Sequence, residues 1–175
     1  MDWYQNVFDL IDFRSFSNLW FWIALAVTWS TASHWVLGVP WDMAVRAHKG
    51  KNAQSIIDFE DMVRINTNRI LFIAHESGLL LSGMVAFGMT VLVLLGFVYD
   101  NEFSQAVFLL GMPLTLVGLL SVRTATRIQA EALSGAALIK RLTRHRLIIQ
   151  VIGVVSLFMT AMWGMYQNMN AGVLG

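Results

Sequence analysis

Four uninterrupted apolar runs constrain this chain more than any other feature of its sequence. They cover residues 19–37, 77–98, 104–122 and 147–166, and each is close to the roughly 20 residues that a helix needs to cross a bilayer. The chain of 175 residues is 57% hydrophobic and only 13% charged, which is too apolar for an ordinary soluble domain. The sequence therefore predicts a single membrane domain over residues 1–175 with four spanning helices.

Positive charge is confined to alternate connections between these runs. All but one of the 12 lysines and arginines lie in residues 39–76 and 123–146, while the turn after the second run and the C-terminal tail contain none. By the positive-inside rule, both basic connections are cytoplasmic and both termini lie outside. We therefore predict an all-α integral membrane four-helix bundle that is multi-pass, with both termini outside.

The two basic connections have helical patterns of their own. A short interfacial helix is predicted to end at Gly50, and from about Ala53 apolar residues recur every three or four positions without a Gly or Pro until Gly78. Residues 123–146 contain one plausible break, at 133–137. The long second, third and fourth helices are thus predicted to project into the cytoplasm and to form a helical cap there.

The N-terminal segment predicts an amphipathic helix lying on the outer leaflet. Its apolar positions recur at helical spacing, with aspartates elsewhere on the turn. They are Tyr4, Val7, Phe8 and Ile11. Ser17 is predicted to cap the first span, because a serine hydroxyl accepts a hydrogen bond from a free N–H of the first helical turn.

Small residues recur at a spacing of four on three of the predicted spans, which allows helices to approach closely. They are Ala24, Thr28 and Ala32 on the first span, Gly78, Ser82 and Ala86 on the second, and Ser156, Thr160 and Gly164 on the fourth. Such stripes are consistent with packing inside the bundle and with contact to another subunit. The sequence leaves both alternatives open.

Three histidines and a glutamate are predicted to meet at the inner leaflet. His34 and His75 form a candidate pair of axial ligands for a b-type haem. Together with Glu76 and His145 they form a candidate set for a transition metal. The competing interpretation is pairing of these side chains with one another or with lipid headgroups, where polar groups are tolerated most easily. The second interpretation is favoured, so no cofactor is expected and haem b is the alternative.

An acidic run precedes Arg64 on the part of the second helix that is predicted to be cytoplasmic. It contains Asp58, Glu60 and Asp61. Glu60 and Arg64 are four residues apart in the orientation that favours an ion pair on a solvated helix face. The alternative is that these four residues form a docking surface for a larger partner.

Several classes of function are disfavoured or excluded by what the sequence lacks. No charged residue occupies the middle of any span, which argues against a carrier or a proton-coupled machine. The chain has no cysteine, which excludes disulfides and cysteine-ligated iron–sulfur clusters. It contains neither a P-loop nor a G-x-S-x-G motif. Its basic residues are accounted for by membrane topology, so no nucleic acid is predicted as a partner.

Two stretches carry a resemblance to a known family. They are "WYQNVFDLIDFRSFSNLWFWIALAVTWSTASHWVLGVPWDMA" and "EDMVRINTNRILFIAHESG". They resemble a family of small four-span inner-membrane proteins of alphaproteobacteria, over most of the chain. Some members carry a label linking them to iron–sulfur cluster assembly, which in a chain without cysteine implies a partner rather than a cluster. The resemblance implies a location in a bacterial inner membrane, so that the two outer termini would be periplasmic. It implies no activity and assigns no functional residues.

Together these patterns predict a non-catalytic accessory or scaffolding subunit. Its expected partners are membrane lipids and either a larger membrane complex or a second copy of the chain. The alternative is a small b-type haem or metal-binding membrane protein that uses the inner-leaflet histidines.

Overall fold

The computed structural model describes residues 15–50 and 53–173, which form five α-helices and one short hairpin. After a 3₁₀ helix at Ser15–Ser17, the elements are α1 (Leu19–His34), β1 (Trp35–Val36), β2 (Val39–Pro40), α2 (Trp41–His48), α3 (Ala53–Val93), α4 (Glu102–Ala130) and α5 (Gly135–Val173). A π-helical turn at Leu94–Val98 continues α3. The predicted amphipathic helix, with Tyr4, Val7, Phe8 and Ile11, lies outside the described residues.

Three helices in the described part of the chain are long and apolar enough to cross a membrane. They cover Ala53–Val98, Glu102–Ala130 and Gly135–Met169. The first predicted span differs, because α1 has only 16 residues and rises about 24 Å, less than a hydrocarbon core of about 30 Å. The helix ends at His34, and residues 35–37 enter the hairpin instead.

The prediction of long helices after the first span is confirmed. α3 is a single helix of 41 residues that begins at Ala53, as the uninterrupted periodicity indicated. α4 and α5 have 29 and 39 residues and are separated only by residues 131–134. At 1.5 Å per residue these helices are about 44–62 Å long, so each extends well beyond the thickness of a hydrocarbon core.

The cap of α1 differs from the prediction. Asn18, not Ser17, is the N-cap, and its Oδ1 accepts a hydrogen bond from the Trp20 N–H at 3.0 Å. Ser17 Oγ donates instead to Asn168 Oδ1 of α5 at 2.7 Å. The prediction was wrong because both residue types cap helices well, and only the packed structure brings Ser17 beside α5.

The larger hydrophobic core lies in the cap, which is formed by the hairpin, α2 and the adjoining ends of α3, α4 and α5. The buried residues are Val36, Leu37, Val39, Ala44, Ala47, Phe59, Val63, Ile128, Leu138 and Leu142. Leu37 and Gly38 form the hairpin turn with φ angles of 53° and 74°. Two positive φ angles are the combination that a two-residue hairpin turn requires, and this turn directs Leu37 into the core.

A second, smaller core joins α1 to the rest of the bundle. It consists of Leu25 and Trp29 of α1 and Ile149 of α5. The helices pack in the order α3, α4, α5, α1, so α4 and α5 are central and α1 rests on α5. Trp29 is buried against Gly153, where an added Cβ would lie 2.8 Å from Trp29 Cε3.

Candidate functional site

The structure does not bring the predicted histidine cluster together. The side chain of His75 is 89% exposed on α3, with Nδ1 3.7 Å from Glu76 Oε1. His34 is exposed at the end of α1, where its ring centroid lies 6.0 Å from that of Trp35. α1 packs on α5 while α3 packs on α4, so the proposed haem pair lies on helices that do not share an extensive interface. Among the described residues, no three His, Asp or Glu side chains are grouped to hold a metal ion.

His145 differs from the other two histidines because it is buried between α4 and α5. Its Nε2 lies 3.3 Å from Ser121 Oγ and its Nδ1 lies 3.1 Å from Thr124 Oγ1. The Ser121 hydroxyl already donates to the carbonyl oxygen of Val117 at 2.8 Å, so its oxygen accepts from Nε2–H and the Thr124 hydroxyl donates to Nδ1. Both ring nitrogens are thereby satisfied within the chain. The metal set of His34, His75, Glu76 and His145 is not formed.

Beside His145, four arginine side chains line a cavity of about 520 Å³ between α4 and α5. We call this cavity the arginine pocket; its arginines are Arg123 and Arg127 on α4 and Arg141 and Arg144 on α5. Among the described residues, no carboxylate lines it. The pocket was not predicted, because membrane topology alone accounted for the charge of these residues. The sequence does contain one indication of this pocket. The arginines are spaced by four residues on α4 and by three on α5, which puts each pair on one helix face.

The predicted docking surface is only partly a free surface. Glu60 Oε1 accepts a hydrogen bond at 2.5 Å from the N–H of Gly135, the first residue of α5. Arg64 pairs with Asp61 at 2.9 Å rather than with Glu60, and Asp58 accepts from a side-chain amide one turn earlier. The predicted Glu60–Arg64 pair is therefore wrong. Glu60 instead satisfies one of the free N–H groups at the start of another helix.

We expect Glu60→Ala to lower the free energy of unfolding by about 1 kcal/mol, because it removes a cap from α5. Asp61→Ala is the matched control on the same helix. It removes only an ion pair between two exposed side chains, so its cost should stay below about 0.5 kcal/mol. Unfolding of the purified protein in mixed detergent micelles measures both. Equal losses would show that Glu60 does not act as a cap.

The small-residue stripe of α5 is used inside the bundle. Ser156 and Thr160 are only 4% and 0% exposed. A Cβ added at Gly164 would lie 3.2 Å from Phe16 Cβ. This stripe therefore packs against other elements of the same chain.

The small-residue stripe of α3 faces outward. Every residue from Leu79 to Phe87 is exposed, including Ser82 and Ala86, and none of the apolar 18-residue window of this helix is buried. A Cβ added at Gly78 would meet nothing within 4 Å. The stripe of α1 is intermediate: Ala24 is exposed, Thr28 Oγ1 donates to the Ala24 carbonyl oxygen at 2.7 Å, and Ala32 packs against the Trp29 core.

A buried glutamine that was not predicted from the sequence joins three helices at the opposite end of the bundle from the cap. Gln105 is 1% exposed. Its Nε2 donates to the carbonyl oxygen of Gly96 at 2.8 Å and to Asp100 Oδ1 at 3.1 Å. Its Oε1 accepts from Trp163 Nε1 at 2.8 Å and from Gln167 Nε2 at 2.5 Å. Both donors and both acceptor positions of the amide are therefore used.

The π-helical turn at the end of α3 makes the Gly96 carbonyl available to this glutamine. The N–H of Tyr99 bonds to the carbonyl of Leu94 at 3.1 Å, and the N–H of Asn101 bonds to that of Leu95 at 3.1 Å. Insertion of a π turn shifts the helical hydrogen bonds by one residue. The side chain of Gln105 then supplies a partner for Gly96, which is buried.

These features define a helical protein with three helices long and apolar enough to cross a membrane and with a polar cluster at each end of the bundle. Comparison with protein-family profiles, with curated proteins and with solved structures finds no match to this chain. The resemblance to the alphaproteobacterial membrane family therefore stays a prediction.

Proposed function

We propose that this protein is a non-catalytic scaffolding subunit of the bacterial inner membrane that assembles with a second copy of itself through α3. In this proposal α1 is a fourth span, the cap is cytoplasmic and both termini are periplasmic. The distribution of basic residues supports this orientation, since all but one of the 12 lysines and arginines belong to the two connections that the cap contains.

The observation that carries the proposal is the contrast between the stripes of α5 and α3. The α5 stripe is filled by its own chain, whereas the apolar half of α3 is exposed around its whole circumference from Leu79 to Phe87. In lipid, helices associate through close packing of small residues rather than through the hydrophobic effect. The free stripe on α3 is thus a surface on which a second helix gains contacts that lipid tails do not provide.

A second copy of the chain is the partner that this surface fits best. Gly78, Ser82 and Ala86 form a stripe along one helix face, and two such stripes related by a two-fold axis contact each other equivalently. Ser82 Oγ already donates to the Leu79 carbonyl oxygen at 2.9 Å, so burial of this face leaves no hydroxyl donor unpaired. A larger complex docked on the cap is less well supported, because Glu60 and Asp61 are engaged within the chain.

α1 qualifies as a span only together with its flanking segments. The 3₁₀ helix at Ser15–Ser17 precedes it and the hairpin follows it. Exposed tryptophans mark its two ends, with Trp20 75% and Trp35 51% exposed, and tryptophan is enriched at both membrane interfaces. A short helix is accommodated by local thinning of the bilayer at modest cost.

Cysteine cross-linking in native membranes tests the assembly, and the chain has no cysteine of its own to remove. Ser82→Cys and Ala86→Cys should each give a disulfide-linked dimer on mild oxidation, because the two positions lie on the stripe. Leu80→Cys is the matched control, since Leu80 is also exposed but lies about 200° around the helix from Ser82. We expect at least severalfold more dimer from the stripe positions.

Two results would overturn self-association through α3. Equal cross-linking of Leu80→Cys and Ser82→Cys would mean random collision in the membrane. Absence of dimer from all three variants would mean that lipid covers α3. A Thr160→Cys variant should remain monomeric in either case, since Thr160 is fully buried within the chain.

A further inference from the structure

We infer that the arginine pocket binds the phosphate headgroup of an anionic phospholipid from the adjoining leaflet. The inference rests on the membrane placement proposed above, but not on self-association through α3. The volume of the pocket, about 520 Å³, falls within the roughly 300–1,000 Å³ of ordinary ligand sites.

The charge around the pocket is unbalanced. Among the described residues, Arg123, Arg127 and Arg144 form no ion pair, while Arg141 Nη2 has one distant partner, Glu131 Oε1 at 3.9 Å. Like charges that surround one cavity repel one another, and an anion in the cavity converts this repulsion into attraction. Guanidinium groups bind phosphate oxygens through paired, charge-assisted hydrogen bonds, which favours a phosphate as the anion.

Arg141 is the least exposed of the four arginines of the pocket. Its side chain is 20% exposed, and its Nε is buried without a hydrogen-bond partner in the described structure. The largely buried side chain holds the Arg141 guanidinium in place at the wall of the pocket.

The other basic connection shows that membrane topology alone does not explain the arrangement. There, Arg46 pairs with Asp42 and Arg64 pairs with Asp61, each at 2.9 Å within its own helix. The positive-inside rule accounts for the number of arginines on one side of the membrane. It does not account for four that converge on a single cavity without a carboxylate.

The walls of the pocket favour a lipid over free phosphate. Leu120 and Ile148 line the pocket together with the arginines, and each belongs to one of the apolar runs that adjoin the basic connection. Beyond them, exposed apolar side chains continue along α4 and α5. They are Leu116, Leu119, Leu147 and Val151. An anionic phospholipid uses both parts of this surface, with its phosphate on the arginines and its acyl chains along the apolar walls.

The test is lipid binding by the full-length chain in mild detergent, followed by native mass spectrometry. Phosphatidylglycerol should remain bound at one site per chain, in preference to phosphatidylcholine. The double variant Arg123→Gln/Arg144→Gln should weaken phosphatidylglycerol binding about tenfold or more, since two charge-assisted contacts are lost. Both residues are exposed, so the fold should tolerate the change, and a thermal unfolding curve verifies this.

The matched control is Lys49→Gln/Arg69→Gln, which removes the same charge from exposed positions outside the pocket. Equal weakening by the two double variants would overturn the site in favour of general surface charge. Equal binding of the two lipids would also overturn it. Inorganic phosphate tests whether the pocket binds a free anion rather than a lipid headgroup. Complete displacement of phosphatidylglycerol by millimolar phosphate would identify a site for the free anion. None of these readouts depends on whether α3 forms a dimer.

Discussion

Replacing Gln105 by methionine is expected to lower the free energy of unfolding by about 2–5 kcal/mol, although the two side chains have similar length and volume. Methionine fills the space but has no amide. The Gly96 carbonyl and the Trp163 indole N–H then lose their partners at 2.8 Å. A buried polar group left unpaired costs about 1–3 kcal/mol; here the Gly96 carbonyl is buried and the Trp163 side chain is half-buried.

Titration of the purified protein with a denaturing detergent measures this loss. Gln129→Met is the matched control, because Gln129 is an exposed glutamine on the same helix and its replacement should change stability by no more than about 0.5 kcal/mol. Gln167→Ala removes one of the four hydrogen bonds of Gln105 and should have an intermediate effect. A Gln105→Met protein as stable as the Gln129→Met protein would contradict the proposed network.

The Gln105 network also bears on the proposed self-association. The apolar half of α3 is exposed at every residue from Leu79 to Phe87. It is fixed on one side by Phe59 and Val63 in the cap core and on the other by the π turn bound to Gln105. Releasing the second attachment should let the helix rotate. The difference in cross-linking between Ser82→Cys and Leu80→Cys should therefore shrink in the Gln105→Met background.

The parts of this fold that were predictable from the sequence depend on interactions along one helix. The unbroken periodicity after Ala53 and the single break near residue 133 set the bounds of α3, α4 and α5. The placement of His34, His75 and His145 at the inner leaflet stays a prediction.

The remaining features depend on which face of each helix packs against a neighbouring helix. The periodicity of a single sequence does not determine this. His75 faces outward on α3 whereas His145 faces inward between α4 and α5. Glu60 was predicted to pair with Arg64 because of their spacing. In the packed cap its carboxylate instead accepts a hydrogen bond from the N–H of Gly135. Gln105 is buried because three helices pack around it, which the apolar run 104–122 alone does not indicate.

Gly153→Ala is expected to lower the free energy of unfolding by about 1–3 kcal/mol, the usual cost of overpacking a core. The new Cβ would lie 2.8 Å from Trp29 Cε3, closer than these atoms approach in folded proteins, and 3.1 Å from Cδ2. The ring is buried and rigid, and its Nε1 has no hydrogen-bond partner in the described structure. Packing over Gly153 therefore contributes, together with Leu25 and Ile149, to holding Trp29 and α1 on the bundle.

The control for this substitution should change stability in the opposite direction. A Cβ added at Gly83 on α3 would meet nothing within 4 Å, so Gly83→Ala should be neutral or stabilise by up to about 1 kcal/mol through helix propensity. A Trp29→Leu background supplies a second test, because removal of the large ring should abolish most of the Gly153→Ala cost. If the cost persists there, the glycine is needed for another reason. If it disappears, contact with Trp29 is the reason that residue 153 has to be small.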